Sequence, residues 1–371
     1  MMRLSACWRT DAVCQELHQL TDGLKTDREK VEVLYRRLGE STRYVAVLLG
    51  IGGQRPASAA SVCKSGFGDC KGLTNYMRGM LKEVGITSYY TTISTVNRRL
   101  LPDFASVGQM NHVILEVPLP GDTLWLECTN PQLPMGYVHE DIAGHDAIEV
   151  SEAGGRLVRL PVYADSLNQM HSAIRIALEG DGSAQVKLTQ KSGYWQYEHL
   201  KPLLTMDQKD RQRVLLRMMR VPQAEIGQMD VSEEQTEITL QADVQSQKYA
   251  NATGQRLFVP VCPLHQGYTA PVANKDRQEE IFIEKGYFDE DDIILTIPEG
   301  YEIESMPKSF ALDKPFGLFS FTVVPQDREI RITNRLLMKS GTFNKSQYQE
   351  LTSFIKAVAS AYGQKIVLKV K

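Results

Sequence analysis

The sequence has no excess of charge of either sign, no long apolar run and no regular spacing of cysteines. Its 371 residues carry 42 Lys and Arg against 45 Asp and Glu, which gives a formal net charge of −3. Non-specific nucleic-acid binding depends on dense positive charge, so we expect no nucleic-acid partner. No apolar run approaches the roughly 20 residues that span a bilayer. Residues 1–9 also lack the apolar core of a signal peptide, so the chain as given predicts neither a membrane span nor export.

The cysteines do not form a recognisable disulfide or zinc pattern. A chain of this size can bury sizeable cores without covalent staples, so we predict that most of its cysteines are free and buried. No phosphate-binding glycine motif occurs either, and we therefore predict no metal and no cofactor. The six cysteines are Cys7, Cys14, Cys63, Cys70, Cys128 and Cys262.

Apolar periodicity predicts an α+β first domain over residues 1–165. Thr26 and Glu29 have capping-box spacing, and the helix that they begin is expected to stop at Gly39. A further helix is expected after Asp69, with a C-terminal cap at Gly85. The predicted strands that follow are 89–94, 113–117 and 123–128.

Residues 166–371 predict a mainly β, sandwich-like region. Short alternating stretches dominate here, separated by Gly, Pro and Asp turns. The region could comprise two subdomains, 166–275 and 276–371. The acidic run 289–292 suggests either a calcium loop or a solvated hairpin turn, and the turn is favoured because no ligand-spaced loop with a turn glycine follows.

Cys70 is the first candidate for chemistry. It follows Gly68 and Asp69 directly, so it is expected in the first turn of a helix. There the helix dipole and unpaired N–H groups stabilise a thiolate, and the Cys70 amide could stabilise an oxyanion. The alternative is a buried structural cysteine, which position alone does not exclude.

A predicted hairpin supplies a base and an acid. If its turn is centred near Leu119 and Pro120, His112 lies opposite Glu127 or one place from it. Directly opposed Cβ atoms are about 5 Å apart, which lets a carboxylate orient an imidazole. A surface His–Glu pair would have the same spacing, so this feature is weak by itself.

Four motifs in order give the combination its specificity. They are Arg43-Tyr44-Val45 with Leu49-Gly50-Ile51-Gly52-Gly53, then Gly68-Asp69-Cys70-Lys71, Asn111-His112-Val113-Ile114 and Trp125-Leu126-Glu127-Cys128-Thr129. Across roughly residues 30–161 the chain resembles the bacterial transglutaminase-like superfamily, which has a papain-like thiol core. It looks most like the cell-envelope branch, in which β-rich domains flank the core.

The resemblance implies Cys70 as nucleophile, His112 as base and Glu127 as the acid, where most members have Asp. Four further residues are candidates for oxyanion or substrate contacts: Tyr44, Gln54, Asp69 and Asn111. For Tyr44 a place in a core strand is the favoured alternative, and for Asp69 a helix cap is favoured. The family often has an aromatic after the glycine pair where this chain has Gln54, which leaves the role of that aromatic in doubt.

Several functions fit this resemblance. The leading one is a thiol hydrolase that cleaves an amide of a peptide or protein through an acyl-enzyme thioester. A protein-glutamine transamidase would use the same three residues, and a non-catalytic binding or scaffold module is the alternative from another class. The resemblance implies a periplasmic or cell-envelope location, with the cytoplasm otherwise expected. It also implies a preceding β-rich domain, which this chain lacks, so we expect a truncated or shortened relative.

Overall fold

The computed structural model describes residues 11–104, 106–219, 221–265, 268–272, 274 and 276–371. The chain divides into two compact units, one ending at Val162 and the other beginning at Tyr163. No helix among these residues is long and apolar enough to cross a membrane.

The described part of the first unit combines four α-helices with a five-stranded antiparallel sheet and a separate parallel pair of strands. The helices are α1 (Asp11–Thr21), α2 (Asp27–Ser41), α3 (Ala59–Ser65) and α4 (Cys70–Glu83). The strands are β1 (Arg43–Tyr44), β2 (Phe67–Gly68), β3 (Tyr89–Ile93), β4 (His112–Leu119), β5 (Asp122–Leu126), β6 (Asp146–Ser151) and β7 (Gly154–Arg159). The sheet has the order β5-β4-β3-β6-β7, and β1 pairs with β2.

Helix α2 begins at the predicted capping box but runs further than expected. Thr26 and Glu29 cap each other reciprocally. The helix then passes through Gly39 and ends at Ser41, so the prediction that Gly39 stops it is wrong. A Cβ at Gly39 would lie 3.2 Å from Pro131, which indicates that close packing rather than helix termination requires the glycine.

Helix α4 has the predicted start and end. The Asp69 carboxylate accepts the Gly72 amide at 2.9 Å as the N-cap, and Gly85 has a φ of +79° just beyond the helix. Its apolar stripe packs in one core with α1, α2, β4 and β5. Thr74 also donates to the carbonyl of Val113 at 3.3 Å, which ties α4 to the strand that carries His112.

The hairpin β4–β5 has a different register from the predicted one. Leu115 faces Leu126 and Leu119 faces Asp122, so the turn is Pro120–Gly121. Continued by three residues beyond the Leu115–Leu126 pair, this register puts Thr129, not Glu127, opposite His112. Glu127 is therefore diagonal to His112, on the same face because side chains alternate along a strand.

The apolar segment 44–51 is not a core strand. Only Arg43 and Tyr44 form a strand, and Tyr44 is half exposed, so a place for Tyr44 in the core was the wrong expectation. Leu48 and Leu49 are 80% and 88% exposed. Because the chain turns through a short 3-10 helix at Gly50–Gly53, these side chains are left outside the core.

The second unit is β-rich, with three α-helices and fourteen strands among its described residues. The helices are α5 (Trp195–Leu200), α6 (Gln208–Met219) and α7 (Tyr348–Tyr362). The strands are β8 (Gln169–Leu178), β9 (Ala184–Gly193), β10 (Ala224–Glu234), β11 (Glu237–Ser246), β12 (Asn251–Thr253), β13 (Arg256–Pro260), β14 (Ile281–Ile283), β15 (Tyr287–Thr296), β16 (Tyr301–Ser305), β17 (Phe310–Lys314), β18 (Gly317–Gln326), β19 (Glu329–Met338), β20 (Gly341–Phe343) and β21 (Lys365–Val370).

These strands form two main sheets. The eight-stranded sheet has the order β10-β11-β9-β8-β15-β19-β18-β17, in which β8 and β15 are parallel. The four-stranded sheet has the order β12-β13-β21-β16, and β14 pairs with β20. The acidic run 289–292 lies inside β15, so the predicted hairpin turn there is wrong. Asp291 is 1% exposed, whereas Asp292 pairs with Arg331 on the other face of the sheet.

Candidate active site

Cys70 is positioned by the first turn of α4. Its side chain is 8% exposed and packs with Tyr90 of β3 and Val113 of β4. Its backbone amide is one of the first in the helix, and such amides have no acceptor within a helix. The sequence places a small thiol there because Gly68 and the capping Asp69 bring the chain tightly into the helix.

His112 opens β4, pairs with Glu127 and interacts electrostatically with Cys70. Its Nε2 lies 2.7 Å from Glu127 Oε2, and the Cys70 side chain acts on the same ring. Since Nε2 is engaged by the carboxylate, Nδ1 is the nitrogen left for the thiol. Burial acts to lower the pKa of His112, but the hydrogen bonds and charges of Cys70 and Glu127 outweigh it and raise the pKa to about 10.

Glu127 is a buried carboxylate with several donors. Thr129 donates from its amide at 2.9 Å and from its hydroxyl, while His139 Nε2 lies 3.1 Å away. Burial acts to raise the Glu127 pKa, yet the hydrogen bonds of His112, His139 and Thr129 hold it well below its usual range. Tyr35 anchors the backbone by donating to the Glu127 carbonyl at 2.9 Å.

The structure thus brings Cys70, His112 and Glu127 into one cluster. A thiol, an imidazole and a carboxylate in this order can form a thiolate–imidazolium pair and move a proton between the thiol and a leaving group.

The four other candidate residues are less uniformly placed. Tyr44 lies near Cys70: burial and the charges of Cys70 and Asp69 raise its pKa. Asp69 caps α4 and pairs with Lys71. Asn111 is exposed and bonds Thr95 at 2.9 Å, and Gln54 is exposed beyond the 3-10 turn at Gly50–Gly53. Asp69 thus lies next to Cys70 at the start of α4, and the charge of Cys70 acts on Tyr44.

His139 belongs to this cluster and was not singled out by spacing. It lies in the loop after β5, where scattered histidines are usually incidental, and only its contact with Glu127 reveals it. Its ring centroid is 6.5 Å from that of His112. His112, Glu127 and His139 also form a set of donors that could hold a metal ion. His145, in the same loop, instead contacts the Ser94 carbonyl at 2.7 Å.

Comparison with known families agrees with this geometry. Residues 15–129 match the family model of the transglutaminase-like superfamily. This stretch is a transglutaminase-like domain. It includes most of α1, all of α2 to α4, the hairpin and the three residues of the cluster. Residues 255–368 match a domain family of unknown function, DUF3858.

A solved structure resembles the whole chain. It is described as a "putative protease" from Parabacteroides distasonis ATCC 8503, and it matches with a TM-score of 0.56 at 13% identity. The match covers 97% of this chain and 55% of that chain, so this chain spans about half the length of the structure that it resembles. At this identity the likeness establishes the fold. No protein of curated function matches the sequence.

Proposed function

We propose that the transglutaminase-like domain is a thiol hydrolase that cleaves an amide bond of a peptide or protein. The observation that carries the proposal is the cluster of Cys70, His112 and Glu127, with His112 Nε2 2.7 Å from Glu127 Oε2, inside the stretch that matches the superfamily. Cys70 is the nucleophile, His112 the general base and acid, and Glu127 the carboxylate that orients His112.

The reaction proceeds in two steps. The Cys70 thiolate attacks the amide carbonyl, an S–C bond forms, and the C–N bond breaks as the His112 imidazolium gives its proton to the leaving amine. Water then attacks the thioester while His112 takes its proton, which releases a carboxylic acid and restores the thiol. Glu127 stabilises the imidazolium in both steps without itself taking the proton.

The oxyanion of each step needs preorganised donors. The Cys70 backbone amide at the helix start is one, and the Tyr44 hydroxyl is the side-chain candidate because Tyr44 is half exposed near the thiol. Asp69 acts as the cap that holds the helix start in place. For Gln54 and Asn111, exposed at the edge of this region, we propose substrate contacts outside the reacting centre.

Two other functions are compatible with the same three residues. If a lysine amine rather than water resolves the thioester, the protein is a transamidase, because both outcomes share the three residues. A non-catalytic binding or scaffold module of the cell envelope would keep the fold without turnover. Hydrolysis is favoured because the structural neighbour is described as a protease. The resemblance to envelope proteins favours substrates of the periplasm or cell envelope over cytoplasmic ones.

The decisive experiment compares the wild type with Cys70→Ala, using Cys63→Ala as the matched control because Cys63 is a half-buried thiol of the same unit. Iodoacetamide should label Cys70 first at mildly acidic pH, and amine release from a peptide mixture should vanish in Cys70→Ala but not in Cys63→Ala. Added primary amine that enters the product would identify transamidation. Slow labelling of Cys70 together with no amine release from the wild type would refute the enzyme.

A further inference from the structure

We propose that the second unit holds a divalent transition metal, best matched by zinc, between Cys262, His265 and Asp291. These three side chains offer a sulfur, a ring nitrogen and a carboxylate oxygen, all within 4.8 Å of one another. They lie within the DUF3858 match and do not belong to the candidate active site. The proposal is therefore independent of the function proposed for Cys70.

The turn after β13 presents the thiol as a ligand. Cys262 and His265 are three residues apart, and the Val261 amide fixes the turn by donating to the Gln364 carbonyl at 3.2 Å. A thiol and an imidazole this close together are two of the ligand types that zinc binds.

Two of the three ligand-to-ligand distances are close to those around a tetrahedral ion. Cys262 Sγ lies 3.9 Å and His265 Nε2 3.1 Å from Asp291 Oδ2. Zinc bonds of about 2.0 to 2.3 Å imply ligand-to-ligand distances of roughly 3.3 to 3.6 Å, so each of these two needs a shift of a few tenths of an ångström. The third distance, between Cys262 and His265, is within 4.8 Å. His265 Nε2 and Asp291 Oδ2 are not aligned as a hydrogen bond, which is expected if both atoms point toward an ion between them.

The surroundings of Asp291 leave a buried charge in need of a partner. Asp291 is 1% exposed, and its Oδ1 has no hydrogen-bond partner among the described residues. Asn334 donates to Asp291 Oδ2 at 3.2 Å, which orients the carboxylate as second-shell groups do around metals. Tyr362 stacks on His265 with ring centroids 4.6 Å apart and holds the imidazole in place.

Charge balance favours a divalent ion over a bare His–Asp pair. A thiolate and a carboxylate carry two negative charges and a neutral imidazole none, so a divalent cation makes the buried cluster neutral. A second nucleophilic site is a poorer fit, because Cys262 is 0% exposed and its sulfur is not accessible to a substrate.

The test measures metal binding by the full chain carrying Cys70→Ala, which removes the thiol next to the other donor set of His112, Glu127 and His139, so that sulfur signals report on Cys262. After growth with zinc and dialysis we expect about one zinc per chain more than in the same protein carrying Cys262→Ser. Cobalt substituted for zinc should show a thiolate charge-transfer band. Cys262→Ser should lose the band, whereas Cys128→Ser, which alters an equally buried cysteine of the first unit, should keep it. Asn334→Ala should weaken binding about 10- to 100-fold.

X-ray absorption of the metal-loaded Cys70→Ala protein provides a measurement that does not depend on folding of the Cys262 variant. The expected spectrum has one sulfur and two or three nitrogen or oxygen scatterers. Failure to retain metal, absence of a sulfur scatterer, or a band that persists in Cys262→Ser would each overturn the site.

Discussion

Glu127 reaches His112 diagonally across the β4–β5 hairpin, with Oε2 2.7 Å from Nε2, while the position opposite His112 is that of Thr129. Diagonal neighbours on a sheet face are about 7 to 8 Å apart at their Cα atoms, which long side chains can bridge. A glutamate has one methylene more than the Asp that is usual in the family that the sequence resembles. The longer side chain therefore suits the register that this hairpin adopts.

Replacing Glu127 by Gln should reduce turnover without abolishing labelling of Cys70. Gln keeps the shape of the side chain but removes the charge that stabilises the imidazolium. We expect kcat to fall by roughly 10²-fold to 10⁴-fold, with iodoacetamide still modifying Cys70. Glu116→Gln is the control, because Glu116 is also a buried glutamate of this hairpin but pairs with Arg156. Equal effects of the two substitutions would contradict the assigned role.

Removing His139 should shift the acid limb of activity. The His139 hydrogen bond helps to hold the Glu127 pKa low, so His139→Gln should raise that pKa and move the loss of activity on acidification to higher pH. The measurement is kcat/KM against pH. His145→Gln is the matched control, since His145 contacts the Ser94 carbonyl. An unchanged acid limb in His139→Gln would show that His139 does not act through Glu127.

The oxyanion role of Tyr44 predicts a loss in kcat rather than in KM. Tyr44→Phe removes one hydroxyl from a half-exposed ring near Cys70. Loss of one oxyanion donor typically costs about 10²-fold to 10³-fold in kcat. Tyr90→Phe is the comparison, because Tyr90 packs beside Cys70 in the same small core. A change confined to KM would place Tyr44 in substrate binding instead.

The core between α4 and the sheet predicts a stability effect that is separate from catalysis. Met77 is 0% exposed in this core, so Met77→Ala should lower the free energy of unfolding of the first unit by about 2 to 5 kcal/mol. Val96→Ala, at a side chain that is 77% exposed, should change it by less than about 0.5 kcal/mol. Denaturant unfolding with Trp125 of β5 as the fluorescent reporter can measure both.

Local signals predicted the scaffold around Cys70 well. The Thr26–Glu29 capping box, the Asp69 cap and Gly85 each act over a few residues, so their physics is visible in the sequence. Gly39 was wrongly predicted to end α2, because the glycine there accommodates a tertiary contact with Pro131. The predicted hairpin register was wrong because the register depends on which two residues form the turn. The turn is Pro120–Gly121 rather than the predicted Leu119–Pro120.

Contacts between distant segments were the part that the sequence could not supply. His139 meets Glu127 through an irregular loop, and no periodicity records such an approach. Cys262 and His265 of the proposed metal site lie three residues apart in the sequence. Asp291, the third donor, lies much further along the chain in β15. The acidic run 289–292 was predicted to be a solvated turn, but it lies in β15. Its side chains alternate between a buried face and a face that pairs with Arg331, and this alternation depends on the neighbouring strands.

The protonation of His112 gives the most direct test of its coupling to Cys70. Its pKa of about 10 lies above the value of about 6.5 for an unfolded histidine, so its ion pair stabilises the folded state fully below about pH 6.5. That contribution declines as the pH rises and is lost through about pH 10. NMR of a histidine-labelled sample should show the His112 ring protonated at neutral pH. In Cys70→Ala the pKa should fall, because one hydrogen-bonding and charged partner is gone, whereas Cys63→Ala should leave it unchanged. A His112 ring that titrates near pH 6.5 in the wild type would rule out the thiolate–imidazolium pair.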